Sequence, residues 1–451
     1  MITSPIYAQH ARAMEPVLPT GLDALEEVGT LKPEKKSNDL TRAADSILGS
    51  RVLTLTGSLD MRTGVRTQED RHEDQQSLAE TRFQFNLEFS GEPLEFRLST
   101  DLLYDAVAGP KEIDLEGGSG FLDLRETSML FRPASFIDIK AGRQILTWGT
   151  GDLVFINDLF PKDFKSFFIG RDVQYLKAPS DAVKLTLFSQ VANLDLVYTP
   201  RFDADRYIDG SRLSFFNQTL DSLSGKNDVV NADKPDDSFS DDEIALRLYQ
   251  NLSGYELSLY AYRGFWKSPA GTNESAGKVT FPELDVYGAS LRGSVLGGIA
   301  NLEFGYYNSL DDPKGDDFAI RNSQARFLAG YERELIKELN LGVQYYFEQR
   351  LDHSAYQRTL PENQRMANEI RHVVSLRLTQ LLKRQDLKLS LFTFYSPSEQ
   401  DAYLRPEITY QLYDGWSIKT GGNWFFGNTE QSFFGQLQRN SNIYLGFRYS
   451  F

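Results

Sequence analysis

The sequence predicts an all-β fold, a transmembrane antiparallel β-barrel of about 18 strands with short periplasmic turns and long external loops. Three observations predict it. From residue 51 onward apolar and polar residues alternate at every second position; tight and long connections alternate between those stretches; and the chain stops on an aromatic residue, Phe451, in the apolar phase of one of them.

The alternation is cleanest in three places. In 82–90, Phe83, Phe85, Leu87 and Phe89 oppose Arg82, Gln84, Asn86 and Glu88. In 339–350, Leu339, Leu341, Val343, Tyr345 and Phe347 oppose Asn340, Gln344, Tyr346, Glu348 and Arg350, and in 442–451, Ile443, Leu445, Phe447, Tyr449 and Phe451 oppose Asn442, Tyr444, Gly446, Arg448 and Ser450. Such strands need an apolar medium on one side and a wet one on the other. A soluble sandwich or propeller also alternates, but its core favours Val and Ile over Leu, Phe and Tyr, and it could not bury so many charges unpaired. No apolar run reaches the roughly 18 residues of a spanning helix. The aromatic share of 13% suits a lipid-facing wall, and Trp148, Tyr198, Trp266, Tyr287, Tyr395, Trp416 and Trp424, near strand ends, are expected in an interfacial girdle.

Tight turns are expected near 90–93, 132–135, 190–193, 252–255, 296–300, 335–338, 382–386 and 413–416. Longer polar stretches at 67–80, 107–120, 151–180, 203–242, 267–281, 310–322 and 352–368, with further connections near 396–401 and 427–440, fall on the opposite end. Ahead of the barrel, 1–13 ends in Ala11-Arg12-Ala13 and reads as a possible remnant of an export signal. Residues 14–50 read as a periplasmic extension with a possible short helix near 38–48, and 51–451 as the barrel domain.

The chain carries 48 basic and 63 acidic residues, a net charge of −15, which excludes non-specific nucleic-acid binding. Zero Cys excludes thiolate metal sites, disulfides and thiol catalysis. His10, His72, His353 and His372 show no metal-ligand spacing, and Gly117-Gly118-Ser119-Gly120 lacks the Lys of a phosphate loop, so neither catalytic residues, metal nor cofactor are expected. The acidic stretch 203–243 lacks a calcium-loop pattern and reads as a solvated external loop. If the Phe/Leu phase faces lipid, the lumen wall includes Arg82, Arg97, Arg326, Glu348, Arg350, Arg377, Arg405, Glu407, Lys419 and Arg448, a mixture suited to a water-filled channel.

One segment rises above this background. Between Leu122 and Tyr175 stand Arg125-Glu126, Gly142-Arg143-Gln144, Trp148-Gly149 with Asp152, Asn157-Asp158-Leu159-Phe160-Pro161-Lys162-Asp163 and Gly170-Arg171-Asp172. This order resembles the alginate-export-like outer-membrane porins and their uncharacterised relatives. The resemblance implies that Arg125, Glu126, Arg143 and Gln144 sit on adjacent strands and that the following loop packs into the pore. The wall's near balance of acidic and basic residues departs from a conduit for a polyuronate.

Physical reasoning on 151–171 agrees with insertion. Phe155, Phe160, Phe164, Phe167 and Phe168 would cost several kcal/mol left in water at about 25 cal/mol per Å², so the loop is expected against the barrel wall rather than as a cap on top or at a subunit contact, with Asp152, Asp158, Lys162, Asp163, Lys165 and Arg171 in the channel. The function expected is a porin-like channel in the outer membrane of a Gram-negative bacterium, for diffusion of small hydrophilic solutes or export of a polar substrate. A barrel enclosing a partner protein of an electron-transfer or secretion complex is the alternative, and an outer-membrane enzyme a more distant one. The expected partners are outer-membrane lipid and lipopolysaccharide, the barrel assembly machinery and a small polar solute.

Overall fold

The computed structural model describes residues 52–451 apart from 218, 219, 274 and 363. The expectations for 1–13, 14–50 and the helix near 38–48 lie outside the described residues. The barrel strands are β1 (Val52–Arg66), β2 (Gln76–Ser90), β3 (Leu94–Asp105), β4 (Leu122–Ala134), β5 (Ile137–Ile145) and β6 (Pro179–Leu187). They continue with β7 (Asn193–Thr199), β8 (Glu243–Leu252), β9 (Tyr255–Phe265), β10 (Glu283–Val295), β11 (Gly298–Ser309) and β12 (Gln324–Ile336). The last six are β13 (Leu339–Arg350), β14 (Ile370–Leu382), β15 (Leu387–Ser396), β16 (Asp401–Tyr413), β17 (Trp416–Gly427) and β18 (Asn442–Ser450). Together they form one 18-stranded sheet in which each strand pairs antiparallel with its sequence neighbours. No helix among the described residues is long and apolar enough to cross a membrane.

β1 pairs with β2 on one side and β18 on the other, so the sheet closes and leaves no edge. At the seam Gly57 N donates to Phe451 O at 3.0 Å and Phe451 N returns a bond to Gly57 O at 2.9 Å. Glycine is required there, because a Cβ on Gly57 would lie 2.7 Å from the backbone oxygen of Gln84 and 2.5 Å from Phe451 Cζ. The terminal ring stacks on Phe83 at 6.1 Å between centroids.

The two phases of the alternation part as the pattern requires. Phe83, Leu302, Phe304 and Leu445 are exposed on the outer wall, whereas Arg82, Asp101 and Glu303 are buried on the inner one. Tight turns at 91–93, 135–136, 188–192, 253–254, 296–297, 337–338, 383–386 and 414–415 occupy one end. The longer connections, 146–178 and 200–242 chief among them, occupy the other and fill that half of the lumen.

Two expectations fail here. Trp148 and Trp266 are buried among the inward residues rather than set in an outer girdle, while Tyr287 and Tyr395 are exposed as a girdle requires. The acidic stretch is not uniformly solvated either. Asp203, Asp205 and Asp209 are held inside by Ser180 Oγ (2.6 Å), Ser268 Oγ (2.6 Å) and Lys165 Nζ (3.2 Å), and the exposed acidic residues stand further along, Asp221, Asp228, Asp233, Asp236 and Asp237 among them.

Candidate channel constriction

The connection 146–178 leaves β5 and crosses the lumen. Its first anchor is Glu303 on β11, 1% exposed, which accepts from Thr150 N and Gly151 N at 3.1 Å and from Asn157 N and Nδ2 at 2.9 Å. Four donors aimed at one carboxylate replace the water it lost on burial, and among the described residues it forms no ion pair. The segment seats on glycines. Gly288 and Gly305 are cross-strand partners on β10 and β11, and a Cβ on them would lie 1.7 Å from Asn157 Oδ1 and 2.6 Å from Ile156 Cγ2. Trp148 closes this end by an edge contact with Phe160 at 5.0 Å.

The middle of the connection is a short helix, α1 (Phe164–Ile169), capped by Asp163, whose carboxylate accepts from Ser166 N at 2.7 Å. Gly170 ends it at φ 102°, a conformation open to glycine. Phe168 packs edge-on against Tyr403 (5.4 Å) and Phe425 (5.3 Å), so Phe167 and Phe168 are buried against β16 and β17; Phe160 is buried against Trp148, while Phe155 and Phe164 are only half-buried. A helix this short leaves its last carbonyls unpaired, and arginines from the wall collect them. Arg405 donates to Phe167 O at 2.9 Å and to Arg171 O at 2.8 Å, and Arg62 to Gly170 O at 3.0 Å.

The return limb is held by charge. Arg171 Nε donates to both oxygens of Glu80 on β2 at 3.0 Å. Asp172 faces Arg62 (2.6 Å), Lys419 (2.6 Å) and Arg448 (2.9 Å), from β1, β17 and β18. Tyr175 lies between the guanidinium groups of Arg82 (4.2 Å) and Arg125 (4.9 Å). Arg125 also donates to Gln174 O (3.1 Å) and Lys177 O (2.9 Å). A second strap from 200–242 lies over this limb: Arg206 N donates to Lys162 O at 2.8 Å while its guanidinium reaches Asp123 (2.9 Å) and Asp163 (3.3 Å).

The structure thus brings Arg125, Asp152, Asp158, Lys162, Asp163, Lys165 and Arg171 into or against one crossing. Asp152 pairs with Arg377 of β14. Lys162 and Asp158 pair with each other at 3.0 Å with side chains 3% exposed, so they brace the loop instead of facing an open passage. Burial pushes the Lys162 ammonium below its ordinary range against the pull of Asp158 and Asp205. Gln144 is fully buried in the wall, donating to Ala182 O at 2.9 Å. Glu126 lies apart from the crossing, with Lys140 at 2.7 Å.

Arg143 stands apart. It is the cross-strand partner of Asp181, pairs with it at 2.8 Å, and shares the phase of exposed Val183, which is the outward one. Of the expected wall, Arg82, Arg377, Arg405, Lys419 and Arg448 touch the crossing. Glu407 neutralises Lys419 at 3.2 Å, Arg97 pairs with Glu88 at 3.2 Å in the exposed half nearer the tight turns, and Arg326, Glu348 and Arg350 lie together on β12 and β13. Sequence reasoning did not single out Asp172, Glu303, Arg62, Tyr175 or Arg206 for this role. Asp172 carried a signal, standing in the Gly170-Arg171-Asp172 run; Glu303 and Arg62 looked like any other inward charge.

No protein-family model and no curated protein sequence matches the chain. Solved structures do match. OccAB3 of Acinetobacter baumannii is similar with a TM-score of 0.54 and 10% identity, over 88% of this chain and 99% of its own. OccK5 (OpdH) of Pseudomonas aeruginosa gives 0.53 and 11% over 88% and 97%, and OccK11 (OpdR) of the same organism 0.52 and 11% over 88% and 95%. These are outer-membrane porins of the Occ/OprD group, and the likeness establishes the closed 18-strand barrel fold. The narrower likeness to alginate-export-like porins receives no support from them.

Proposed function

We propose that the chain is an outer-membrane channel of a Gram-negative bacterium for passive diffusion of small hydrophilic solutes, narrowed by the connection 146–178. The observation that carries this reading is that one polar, charge-lined lumen is crossed by a connection tied to β1, β2, β11, β14 and β16–β18. A crossing fixed at so many points obstructs the bore for an enclosed partner protein, which weighs against the sheath alternative. The porin character of the similar structures supports the same reading.

The test is single-channel recording of the purified chain in a planar bilayer. Steady conductance is expected, rising severalfold when 157–168 is shortened to a Gly-Ser linker. Silence of the intact chain would overturn the channel, and equal conductance of the shortened form would place the narrowing elsewhere.

A further inference from the structure

Above the crossing, four arginines meet on the inner wall. Arg326 is the cross-strand partner of Glu348, and Glu348 that of Arg371, so all three share one face of β12, β13 and β14. Arg350 lies two residues further along β13, and Arg321 is brought from the connection 310–323 by its backbone bond to Ala270 O at 2.8 Å. Each guanidinium has a flat face covered by a ring: Arg326 on Tyr307 (3.8 Å), Arg350 on Tyr356 (4.6 Å), Arg321 on Trp266 (5.0 Å) and Arg371 on Phe433 (5.4 Å). Stacking of this kind leaves the in-plane N–H groups for acceptors.

Acceptors are short. Among the described residues the four make one ion pair, Arg326 with Glu348 at 3.6 Å, which leaves three positive charges uncompensated. Asp401, whose field reaches Arg371, spends an oxygen on Phe434 N at 2.7 Å. Four buried atoms here lack any partner, and three of them, Arg350 Nε, Arg371 Nε and Trp266 Nε1, are donors against the one acceptor Asp401 Oδ1. Trp266 is 4% exposed, so its N–H is cut off from bulk water. Burial first, then repulsion from Arg326 and Arg350, pushes the Arg321 guanidinium down to about 10. The place is built of donors and positive charge and lacks the anion that would satisfy both.

The class of anion follows from the arrangement. The donors come from five parts of the chain, the connections 266–282 and 310–323 and the strands β12, β13 and β14, so they suit oxygens spread in three dimensions better than the coplanar pair of a carboxylate. Three uncompensated charges are met better by a dianion than by a monoanion. The inward phase of Arg326, Arg350 and Arg371 faces solutes and not lipid headgroups.

We propose that Arg321, Arg326, Arg350 and Arg371, with Trp266, form a binding site for a doubly charged tetrahedral oxyanion of the phosphate-monoester or sulfate class, loaded from the solutes that the channel admits. This names a solute class for the channel and rests on that reading. The test is tryptophan fluorescence of the detergent-solubilised full chain titrated with inorganic phosphate at about pH 8, where phosphate is dianionic, against acetate at equal ionic strength. Phosphate should give a saturable change that is lost in Trp266→Phe and needs about tenfold more phosphate in Arg321→Gln, a substitution outside the barrel strands, whereas acetate gives none. Unshifted heat-modifiable mobility of Arg321→Gln checks that the barrel has formed. No saturable response to phosphate, an equal response to acetate, or undiminished affinity in Arg321→Gln would each overturn the site. Since the titration needs no conductance, a chain that binds phosphate yet carries no current would overturn the channel and leave the site standing.

Discussion

Asp172 shows how much one side chain holds. Its carboxylate gathers Arg62, Lys419 and Arg448 from three strands, so Asp172→Asn leaves three cations in a partly dry passage with their shared anion gone. We expect a stability loss of about 3–5 kcal/mol, read as a lower midpoint of heat-modified mobility, and a reversal potential under a salt gradient displaced toward anions. An unmoved reversal potential would remove Asp172 from the conduction path. Glu73, in the connection 67–75, offers a pH test. Burial pushes its carboxyl up to about 7 despite Arg66 nearby at 3.9 Å. Because the folded value exceeds the ordinary 4.5, its contribution is complete below about 4.5 and is lost as pH rises through 7. Protection of 67–75 against hydrogen exchange, taken relative to the intrinsic rate at each pH, should therefore fall between pH 6 and pH 8 (roughly a unit either side of the folded value), and Glu73→Gln should abolish that fall. At this scale a short motif also misleads. Arg143 follows Ile137, Ile139 and Ala141 at alternate positions in a pairing with β6 that runs unbroken to Ile145, so the count alone puts it in the outward phase. The Gly142-Arg143-Gln144 run drew attention to the residue without placing it.

At the scale of the element, the connection 146–178 is read from composition and located by contacts. Its five phenylalanines predict burial without naming what buries them. The seat is a notch made by two absent side chains, Gly288 and Gly305, on strands that follow the loop in sequence by more than a hundred residues. Filling it should unseat the loop with the barrel intact. Gly305→Val is expected to raise single-channel conductance and add flicker, while Gly342→Ala, whose added Cβ would meet nothing closer than 3.8 Å, should leave both unchanged. Equal traces from the two variants would mean that the loop is held by Glu303 and Asp172 alone.

For the whole molecule, the barrel was legible because lipid and water impose opposite demands on alternate residues, and that demand is written locally in runs such as Phe83 to Phe89. The ties across the lumen were not legible, because they join residues as far apart as Phe167 and Arg405, 238 positions, or Asp172 and Arg448, 276 positions. The seam gives a global prediction. Deleting Phe451 removes two backbone bonds and the ring that fills the gap at Gly57, so membrane-inserted protein should fall sharply, whereas Phe347→Leu, on an interior strand, should leave it near normal. Undiminished levels of the truncated chain would contradict a seam that depends on the terminal ring.

The ties between the crossing and the last strands also set an order in time. Arg405, Lys419, Asn442 and Arg448 are synthesised after the segment they hold, and the four reach it from β16 to β18, the strands that complete the ring beside β1. Without those strands the loop has Glu303, Glu80 and Arg62 but lacks Arg405, Lys419, Asn442 and Arg448. The loop cannot be fully seated before the wall is whole, and the wall cannot close around a misplaced loop without parting Asp172 from its three cations. Closure of the cylinder and sealing of its bore are therefore coupled, and a barrel left open ahead of β16 would keep an ajar, leaky interior.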